Sequence, residues 1–298
     1  MGNTKDMLSG VFSPMCTPFI NDEVDYAGME KNVDLMNPSG LKGYFVLGTN
    51  GEFKTMSEEE KFRLLGVVIK RAAKDKIIMA GTGAESTRET IRLTKKAADM
   101  GAVMVSLLMP SFFAKKITED AMIRHIVETA DASPIPVVLY NNPSVAAGVT
   151  ITPAVIKEVS KHPNVAGVKD SGKETWLENV AYNSDSFSVM AGSAGYFLDL
   201  LDKGGTGGVL SLANVFPDAC AKLYNMYISG KKDEAAALNK QLVDLNKKVS
   251  GSYGVAGVKY AMDLAGFAGG VMRRPLGTLN AEQKKTLEAD LRASGFLK

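Results

Sequence analysis

Eight short, continuously apolar segments recur within the first 211 residues, and they limit the possible folds more than any other feature. They are residues 10–16, 43–48, 77–81, 103–108, 136–140, 165–169, 187–192 and 207–211. Strands with one wet face alternate apolar and polar residues, whereas strands covered on both faces, as in parallel sheets, are apolar throughout. The pattern therefore predicts eight buried, parallel β-strands.

Helical patterns lie between these segments. Ser57 and Glu60 form a capping-box sequence at the start of one helix. Further helices are predicted over residues 86–100, 118–132 and 152–161. Alternating strands and helices predict an α/β protein, a (β/α)8 TIM barrel. The alternative is a doubly wound open sheet, but its G-x-G-x-x-G fingerprint does not follow the first strand.

The pattern changes after residue 212, because only helices are predicted from there on. They cover residues 216–229, 231–250, 255–265 and 281–293. Gly230 and the pair Gly251-Ser252 are expected to separate them, and Asn280 to cap the last one. We therefore predict a barrel of residues 1–212 that carries the active site, and a helical extension of residues 213–298 packed on it.

Composition excludes several classes of protein. The 35 basic and 33 acidic residues give a net charge of +2, which offers no electrostatic basis for binding nucleic acid or an anionic membrane. The two cysteines, Cys16 and Cys220, are too few for a disulfide scaffold, so we expect buried thiols in a reducing compartment. The two histidines, His125 and His162, rule out a His-rich metal site.

The sequence contains neither a secretory signal pattern nor a run that predicts a membrane-spanning helix. The N-terminal residues lack the apolar core of a secretory signal, and no run of about 18 uncharged apolar residues occurs. We therefore expect a soluble, cytoplasmic protein.

The residues that could carry chemistry follow from the predicted barrel, whose active site lies at the C-terminal ends of the strands. Lys169 ends an apolar strand there. Loss of hydration lowers the pKa of such a lysine, and its neutral amine can form a Schiff base with a ketone. The alternative is a lysine paired with a carboxylate such as Asp170 or Glu52.

Other strand ends add weaker candidates. Tyr140 ends the strand before that of Lys169 and could transfer protons, or simply pack its ring. The turn 48–51 could hold a carboxylate through its amides and the Thr49 hydroxyl, or be a plain turn. Glu52 could orient the residues that bind the ligand or pair with a cation, and the ion pair is the favoured interpretation. The glycine-rich turn 204–208 is not a P-loop, because no Gly-Lys-Ser/Thr follows.

Together the motifs resemble the dihydrodipicolinate synthase / N-acetylneuraminate lyase family. They are Gly-Thr-Asn-Gly-Glu at 48–52, Tyr-Asn-Asn-Pro at 140–143, Gly-Val-Lys-Asp-Ser-Gly at 167–172 and the glycine-rich turn into 209–211. The resemblance covers essentially the whole chain. It implies a (β/α)8 barrel, Schiff-base chemistry on pyruvate or another 2-keto acid with an aldehyde as partner, no metal or organic cofactor, and a homotetramer arranged as a dimer of dimers.

The resemblance also implies residue roles. Lys169 matches the Schiff-base lysine, and Tyr140 matches the proton-shuttling tyrosine beside it. Thr49 and Asn50 match the pair that holds the keto-acid carboxylate, and Leu210 matches a position whose carbonyl faces the bound pyruvate. Ser171 is expected to hydrogen-bond a substrate hydroxyl.

Departures from the pattern bear on the substrate. Dihydrodipicolinate synthases usually carry two threonines at the Thr49-Asn50 position and an arginine soon after the Tyr-Asn-x-Pro motif, where this chain has residues 144–148 without arginine. Asn50 and the run 169–172 are more similar to aldolases for 4-hydroxy-2-oxoglutarate and 2-keto-3-deoxy sugar acids, which is the favoured prediction. Dihydrodipicolinate synthase, condensing pyruvate with aspartate semialdehyde, is the alternative.

One departure affects every alternative. The family usually has a relay tyrosine after strand four that crosses a subunit interface, but this chain has Pro110-Ser111-Phe112-Phe113. Water or Ser111 then takes its place, the relay is shortened, or activity is weak. A keto-acid-binding paralogue without turnover therefore remains an alternative, as does a dehydratase or deaminase using the same imine.

Overall fold

The computed structural model describes residues 4–297 and contains a closed barrel of eight parallel strands. Its strands are β1 Gly10–Pro14, β4 Gly43–Val46, β5 Ile77–Gly81, β6 Met104–Leu108, β7 Val137–Asn141, β8 Val165–Asp170, β9 Ser188–Ala191 and β10 Gly207–Val209, while β2 Phe19–Ile20 and β3 Glu23–Val24 form a separate hairpin. Around the barrel the strands follow the order β1-β10-β9-β8-β7-β6-β5-β4. The predicted (β/α)8 barrel is confirmed, and all eight strands lie where the apolar segments placed them. Because the sheet closes, the open doubly wound alternative is wrong.

Burial explains why the strand segments are apolar throughout. All residues of β1, β6, β7 and β8 are buried. Successive side chains of a strand point to opposite faces, so both faces of these strands are covered. The barrel interior accepts one set of side chains and the surrounding helices the other, which leaves no wet face to require alternation.

Twelve α-helices accompany the strands in the described part of the chain. They are α1 Thr4–Leu8, α2 Tyr26–Met36, α3 Glu58–Arg71, α4 Thr87–Asp99, α5 Glu119–Ala132, α6 Pro153–Val159, α7 Thr175–Asn179, α8 Phe197–Asp202, α9 Pro217–Ile228, α10 Lys232–Asn246, α11 Ser252–Leu264 and α12 Ala281–Ala293. Ser57 and Glu60 form the predicted capping box, and Asn280 caps α12 through a second one. Each cap satisfies amides that have no partner within the helix.

The chain divides into two compact units. The first contains residues 4–9 and 77–209, and therefore α1, α4 to α8 and strands β5 to β10. The second contains residues 10–76 and those from 210 onward, with β1, β4, the remaining helices and a two-stranded antiparallel hairpin, β2 Phe19–Ile20 and β3 Glu23–Val24. The division of the sequence at residues 212 and 213 stays a prediction.

The structure corrects one helix boundary. Gly251-Ser252 does not separate two helices, because a π-helical segment over Lys247–Gly251 joins α10 directly to α11. The backbone kinks two residues later, at Gly254, with φ of 57° and ψ of −145°. Glycine adopts these angles without the steric penalty of a Cβ atom. Gly230 does end a helix as expected, with a positive φ of 76°.

Both cysteines are buried thiols, as predicted. Burial raises the pKa of Cys16 and of Cys220 to about 12, so neither forms a thiolate at neutral pH. No helix in residues 4–297 has both the length and the apolar character needed to span a membrane.

His125 makes stability depend on pH. It is 6% exposed on α5, its Nδ1 lies 3.0 Å from Thr87 Oγ1, and burial lowers its pKa below the ordinary 6.5. As the pH drops below 6.5, His125 takes up a proton more readily in the unfolded chain than in the folded one. The free energy of unfolding therefore falls with falling pH. We expect a loss of up to about 1.4 kcal/mol per pH unit between that value and the folded pKa.

Urea unfolding of the wild type and of His125→Leu, at pH 7 and at about pH 5.5, checks this prediction. The wild type is expected to lose more stability than the variant over this interval. Equal losses in the two proteins would show that His125 does not titrate in the unfolding reaction.

Candidate active site

Lys169 and Tyr140 lie side by side at the ends of neighbouring strands. They are partners in the register of β7 with β8, and each is 4% exposed. The Nζ atom of Lys169 lies 4.0 Å from the centroid of the Tyr140 ring. The pairing predicted from the two strand ends is therefore present in the first unit.

Burial shifts the pKa of the Lys169 amine. Desolvation lowers its pKa below the ordinary 10.5, and the electrostatic and hydrogen-bonding interactions with Tyr140 oppose this shift in part. Burial acts on the charged ammonium and not on the neutral amine, which makes the neutral form more accessible. A neutral amine is the form that attacks a ketone.

The hydroxyl of Tyr140 is held by a short chain of polar side chains. Asn142 Nδ2 donates a hydrogen bond of 2.8 Å to the phenol oxygen, and Ser144 Oγ donates one of 2.6 Å to Asn142 Oδ1. All three residues belong to the end of β7 or the turn after it. The phenol oxygen is thereby fixed beside the amine, as a proton-transfer group must be.

Asp170 organises the same strand end, a role that the sequence did not reveal. Its Oδ1 accepts hydrogen bonds from Gly172 N, Thr175 Oγ1 and Asn141 Nδ2 at 2.8, 2.7 and 3.0 Å, and its Oδ2 accepts one from Asn179 Nδ2 at 2.7 Å. Burial raises the pKa of this carboxyl, and the four hydrogen bonds oppose the shift. The carboxylate thus ties β7, β8 and α7 together behind Lys169.

Ser171 sits in a tight space after β8. Its backbone N–H donates to the carbonyl of Asn141 at 2.7 Å. A Cβ atom placed on Gly192 would lie 1.9 Å from Ser171 Oγ, so only glycine fits at that position. The serine hydroxyl is therefore confined to the region between the ends of β8 and β9.

Thr49 and Asn50 lie in the second unit, in a single 3-10 turn over Thr49–Gly51 that follows β4. Asn50 is 9% exposed, and its side-chain Nδ2 is buried without a hydrogen-bond partner. Buried polar atoms are nearly always paired, so an unpaired amide donor indicates a place for an acceptor. A carboxylate oxygen is an acceptor of this kind.

Leu210 also lies in the second unit, directly after β10. Its N–H donates to Phe12 O at 3.1 Å, and its carbonyl accepts Ala213 N at 2.9 Å. A carbonyl oxygen has two lone pairs. The Leu210 carbonyl can therefore accept a second hydrogen bond.

Glu52 is an ion-pair partner, as interpreted from the sequence, and its cation is the buried Lys259. No local sequence pattern indicates this pairing, because Lys259 lies 207 residues further along the chain. Within residues 4–297, no three His, Cys, Asp or Glu side chains group together in a way that could hold a metal ion.

The segment without the relay tyrosine is fixed at its start and exposed at its tip. The Glu85 carboxylate accepts hydrogen bonds from the backbone N–H groups of Ser111 and Phe112 at 2.8 and 2.9 Å, and from Ser111 Oγ at 3.2 Å. Phe112 and Phe113 are 79% and 68% exposed and contact each other edge to face. Neither ring has a proton to transfer.

Comparison with known proteins gives consistent matches along the chain. The sequence profile described as the dihydrodipicolinate synthetase family matches residues 7–294. A 4-hydroxy-tetrahydrodipicolinate synthase of Methanosphaerula palustris is 34% identical over 288 residues, which are 94% of this chain and 97% of that protein.

Two further relatives are informative. A protein of Emericella nidulans named "Probable 4-hydroxy-2-oxoglutarate aldolase, mitochondrial" is 36% identical over 242 residues, 78% of this chain and 77% of that protein. The crystal structure of YagE, an E. coli K12 prophage protein of the dihydrodipicolinic acid synthase family in complex with pyruvate, has a TM-score of 0.89 and 26% identity. That match covers 97% of this chain and 99% of YagE.

Proposed function

This chain belongs to the dihydrodipicolinate synthetase family and is a class I lyase of that family, and we propose on this premise that Lys169 forms a Schiff base with pyruvate. The observation that carries the proposal is the buried Lys169 amine, 4.0 Å from the ring centroid of Tyr140 and with a lowered pKa. This placement supplies both a nucleophile and a group that transfers protons.

The proposed steps follow from this pair. The neutral amine attacks C2 of pyruvate, and the carbinolamine loses water to give an iminium. The iminium withdraws electrons from C3, which loses a proton and becomes an enamine carbon. That carbon adds to the carbonyl carbon of an aldehyde, whose oxygen takes up a proton. Lys169 is then freed by water or, with aspartate semialdehyde, by the product's own amino group, which attacks the imine carbon and closes the ring. Tyr140 moves protons to and from the carbinolamine oxygen.

We assign the carboxylate of the keto acid to Thr49 and Asn50. The unpaired Nδ2 of Asn50 supports this assignment, because a carboxylate oxygen would satisfy a donor that is otherwise buried alone. The second lone pair of the Leu210 carbonyl and the confined hydroxyl of Ser171 are proposed as further contacts. In the family that this chain resembles, a carboxylate held in this way presents C2 of the keto acid to the lysine amine.

For the aldehyde partner we now favour aspartate semialdehyde, which makes the chain a 4-hydroxy-tetrahydrodipicolinate synthase. Several relatives that match over nearly their full length have that name. This reverses the preference drawn from the sequence, which favoured aldolases for 4-hydroxy-2-oxoglutarate and 2-keto-3-deoxy sugar acids.

A 4-hydroxy-2-oxoglutarate aldolase is the second candidate, and two observations favour it. The Emericella nidulans relative bears that name at 36% identity. The turn at residues 144–148 has no arginine to bind the carboxylate of aspartate semialdehyde. If the chain uses aspartate semialdehyde, a basic residue outside this turn must bind the carboxylate of that substrate.

Steady-state rates separate the candidates. The protein is assayed for condensation of pyruvate with aspartate semialdehyde, and for cleavage of 4-hydroxy-2-oxoglutarate and of a 2-keto-3-deoxy sugar acid. The synthase proposal predicts the highest kcat/KM for the condensation. A higher value for either cleavage would overturn it, and saturable pyruvate binding without any product would indicate a non-catalytic paralogue.

Tyr140→Phe is expected to lower kcat by about 10²–10⁴-fold, because it removes the proton-transfer group and keeps the ring. Borohydride trapping of pyruvate on Lys169 should still reach full yield at long incubation. Ser144→Ala, which removes only the outer member of the hydrogen-bond chain, serves as the milder control. Unchanged kcat in Tyr140→Phe would exclude this tyrosine from proton transfer.

We also propose that the protein is a cytoplasmic homotetramer, as the family resemblance implies. Sedimentation velocity at micromolar concentration tests the assembly, with a tetramer expected. A monomer would contradict it.

A further inference from the structure

The turn that presents Thr49 and Asn50 ends at a residue with an unusual backbone conformation. Glu52 caps the turn with φ of 53° and ψ of 32°, in the left-handed region. Glycine adopts this region without penalty, whereas other residues stay there only where their surroundings fix them. A glutamate at this position therefore needs surrounding contacts that hold its backbone, which a glycine would not need.

That side chain is fully engaged by the C-terminal part of the chain. Its Oε1 accepts a hydrogen bond from Lys259 Nζ on α11, and its Oε2 accepts one of 2.9 Å from Arg273 N. The side chains of Glu52 and Lys259 are 2% and 1% exposed. Lys259 Nζ also donates to Val271 O at 2.6 Å and lies 4.6 Å from the Phe19 ring centroid.

A second ion pair holds the same C-terminal segment. The Arg273 guanidinium binds both oxygens of Glu60 at 2.6 and 2.8 Å, and it donates to Thr55 O at 3.3 Å. Glu60 belongs to the capping box of α3, and Thr55 lies just after the turn. Glu52 and the residues that follow it, Thr55 and Glu60, are thereby tied to Arg273.

The net contribution of the buried Glu52–Lys259 pair to stability does not explain its presence. The desolvation of two charges often offsets their attraction, so that apolar residues of similar size would stabilise the fold as well. What the pair provides is a fixed geometry, since both carboxylate oxygens of Glu52 have a defined donor. The geometry it fixes is that of the turn over Thr49–Gly51.

We propose that Glu52 and Lys259 are positioning residues for the keto-acid carboxylate, holding the turn so that Thr49 and Asn50 meet it. This inference rests on the proposed function, because it assumes that the turn binds that carboxylate. It assigns to α11 and to the segment 271–273 a role in substrate affinity, although neither is placed in contact with the substrate.

The test measures pyruvate affinity separately from chemistry. Borohydride-trapped pyruvate on Lys169 is quantified by intact mass over a range of pyruvate concentrations, in the wild type, Glu52→Gln and Lys259→Met. Glutamine keeps an acceptor for Lys259 but presents an N–H group to the Arg273 N–H. Lys76→Met is the matched control, because Lys76 is a buried lysine of the same unit that binds Ser39 O and Leu41 O instead.

We expect half-saturating pyruvate to rise by about tenfold or more in Glu52→Gln and Lys259→Met, with full adduct yield at saturation. In Lys76→Met it should stay within about twofold. KM for pyruvate should rise in parallel, with a smaller change in kcat. A merely structural role would instead lower the fraction of active protein and leave half-saturation unchanged.

Each other outcome has a definite meaning. Folded Glu52→Gln and Lys259→Met proteins that trap pyruvate at wild-type concentrations would overturn the positioning role. Should either single variant fail to fold, the double variant Glu52→Leu/Lys259→Met, which buries no charge, is measured in its place by the same criterion. Absence of an adduct in the wild type would refute the proposed function itself, which distinguishes the two failures.

Discussion

Replacing Lys169 with methionine is expected to lower turnover by at least about 10⁴-fold, because no other group on the chain is proposed to carry the covalent chemistry. Methionine keeps much of the length and apolar volume of the side chain. The fold should tolerate it, since burial already disfavours the charged form of Lys169. We therefore expect a melting temperature equal to or above that of the wild type.

The measurement pairs the rate of the aldehyde reaction with a thermal melt of the same sample. Loss of activity in a protein that melts at or above the wild-type temperature assigns the loss to chemistry. Retained turnover above about one tenth of wild type would remove Lys169 from the mechanism.

Lys259→Met is expected to have the opposite effect on stability, although the substitution is the same. It leaves the Glu52 carboxylate buried, at 2% exposure, without its cation. Breaking one side of a buried ion pair typically costs about 3–5 kcal/mol. Urea unfolding should show a loss of this size, and the double variant Glu52→Leu/Lys259→Met should recover most of it.

Lys76→Met again serves as the comparison. Lys76 binds two backbone carbonyls and the exposed side chain of Asp75, so its loss leaves no buried carboxylate behind. We expect it to lose about 1–3 kcal/mol. If Lys259→Met lost no more than Lys76→Met, Glu52 would not depend on Lys259 for its buried charge.

The sequence predicts the barrel well because burial on both faces of a strand leaves a direct mark, a continuous apolar run. The apolar pattern does not reveal α2, Tyr26–Met36. That helix buries Gly28 and Asn32 together with Met29, Val33 and Met36, so its buried face is not marked by apolar residues alone. The hairpin before it is only two residues per strand. Its Asn21-Asp22 turn, with φ of 52° and 71°, was the available signal.

The candidate site likewise contains residues that can be predicted from the sequence and residues that cannot. Lys169 and Tyr140 are recognisable because each ends a strand, and neighbouring strands in a barrel bring their ends together. The partners of Asp170 are not recognisable, since Asn141 and Asn179 come from other elements. The pairing of Glu52 with Lys259 spans 207 residues, and no local pattern records it. Contacts of this kind appear only once the chain is folded.

Reductive trapping shows directly whether Lys169 forms a Schiff base with pyruvate. The protein is incubated with pyruvate and sodium borohydride, its intact mass is measured, and the modified peptide is mapped. We expect one reduced pyruvate adduct per chain, located on Lys169 and absent from Lys169→Met. An unmodified protein, or an adduct on a different lysine, would contradict it.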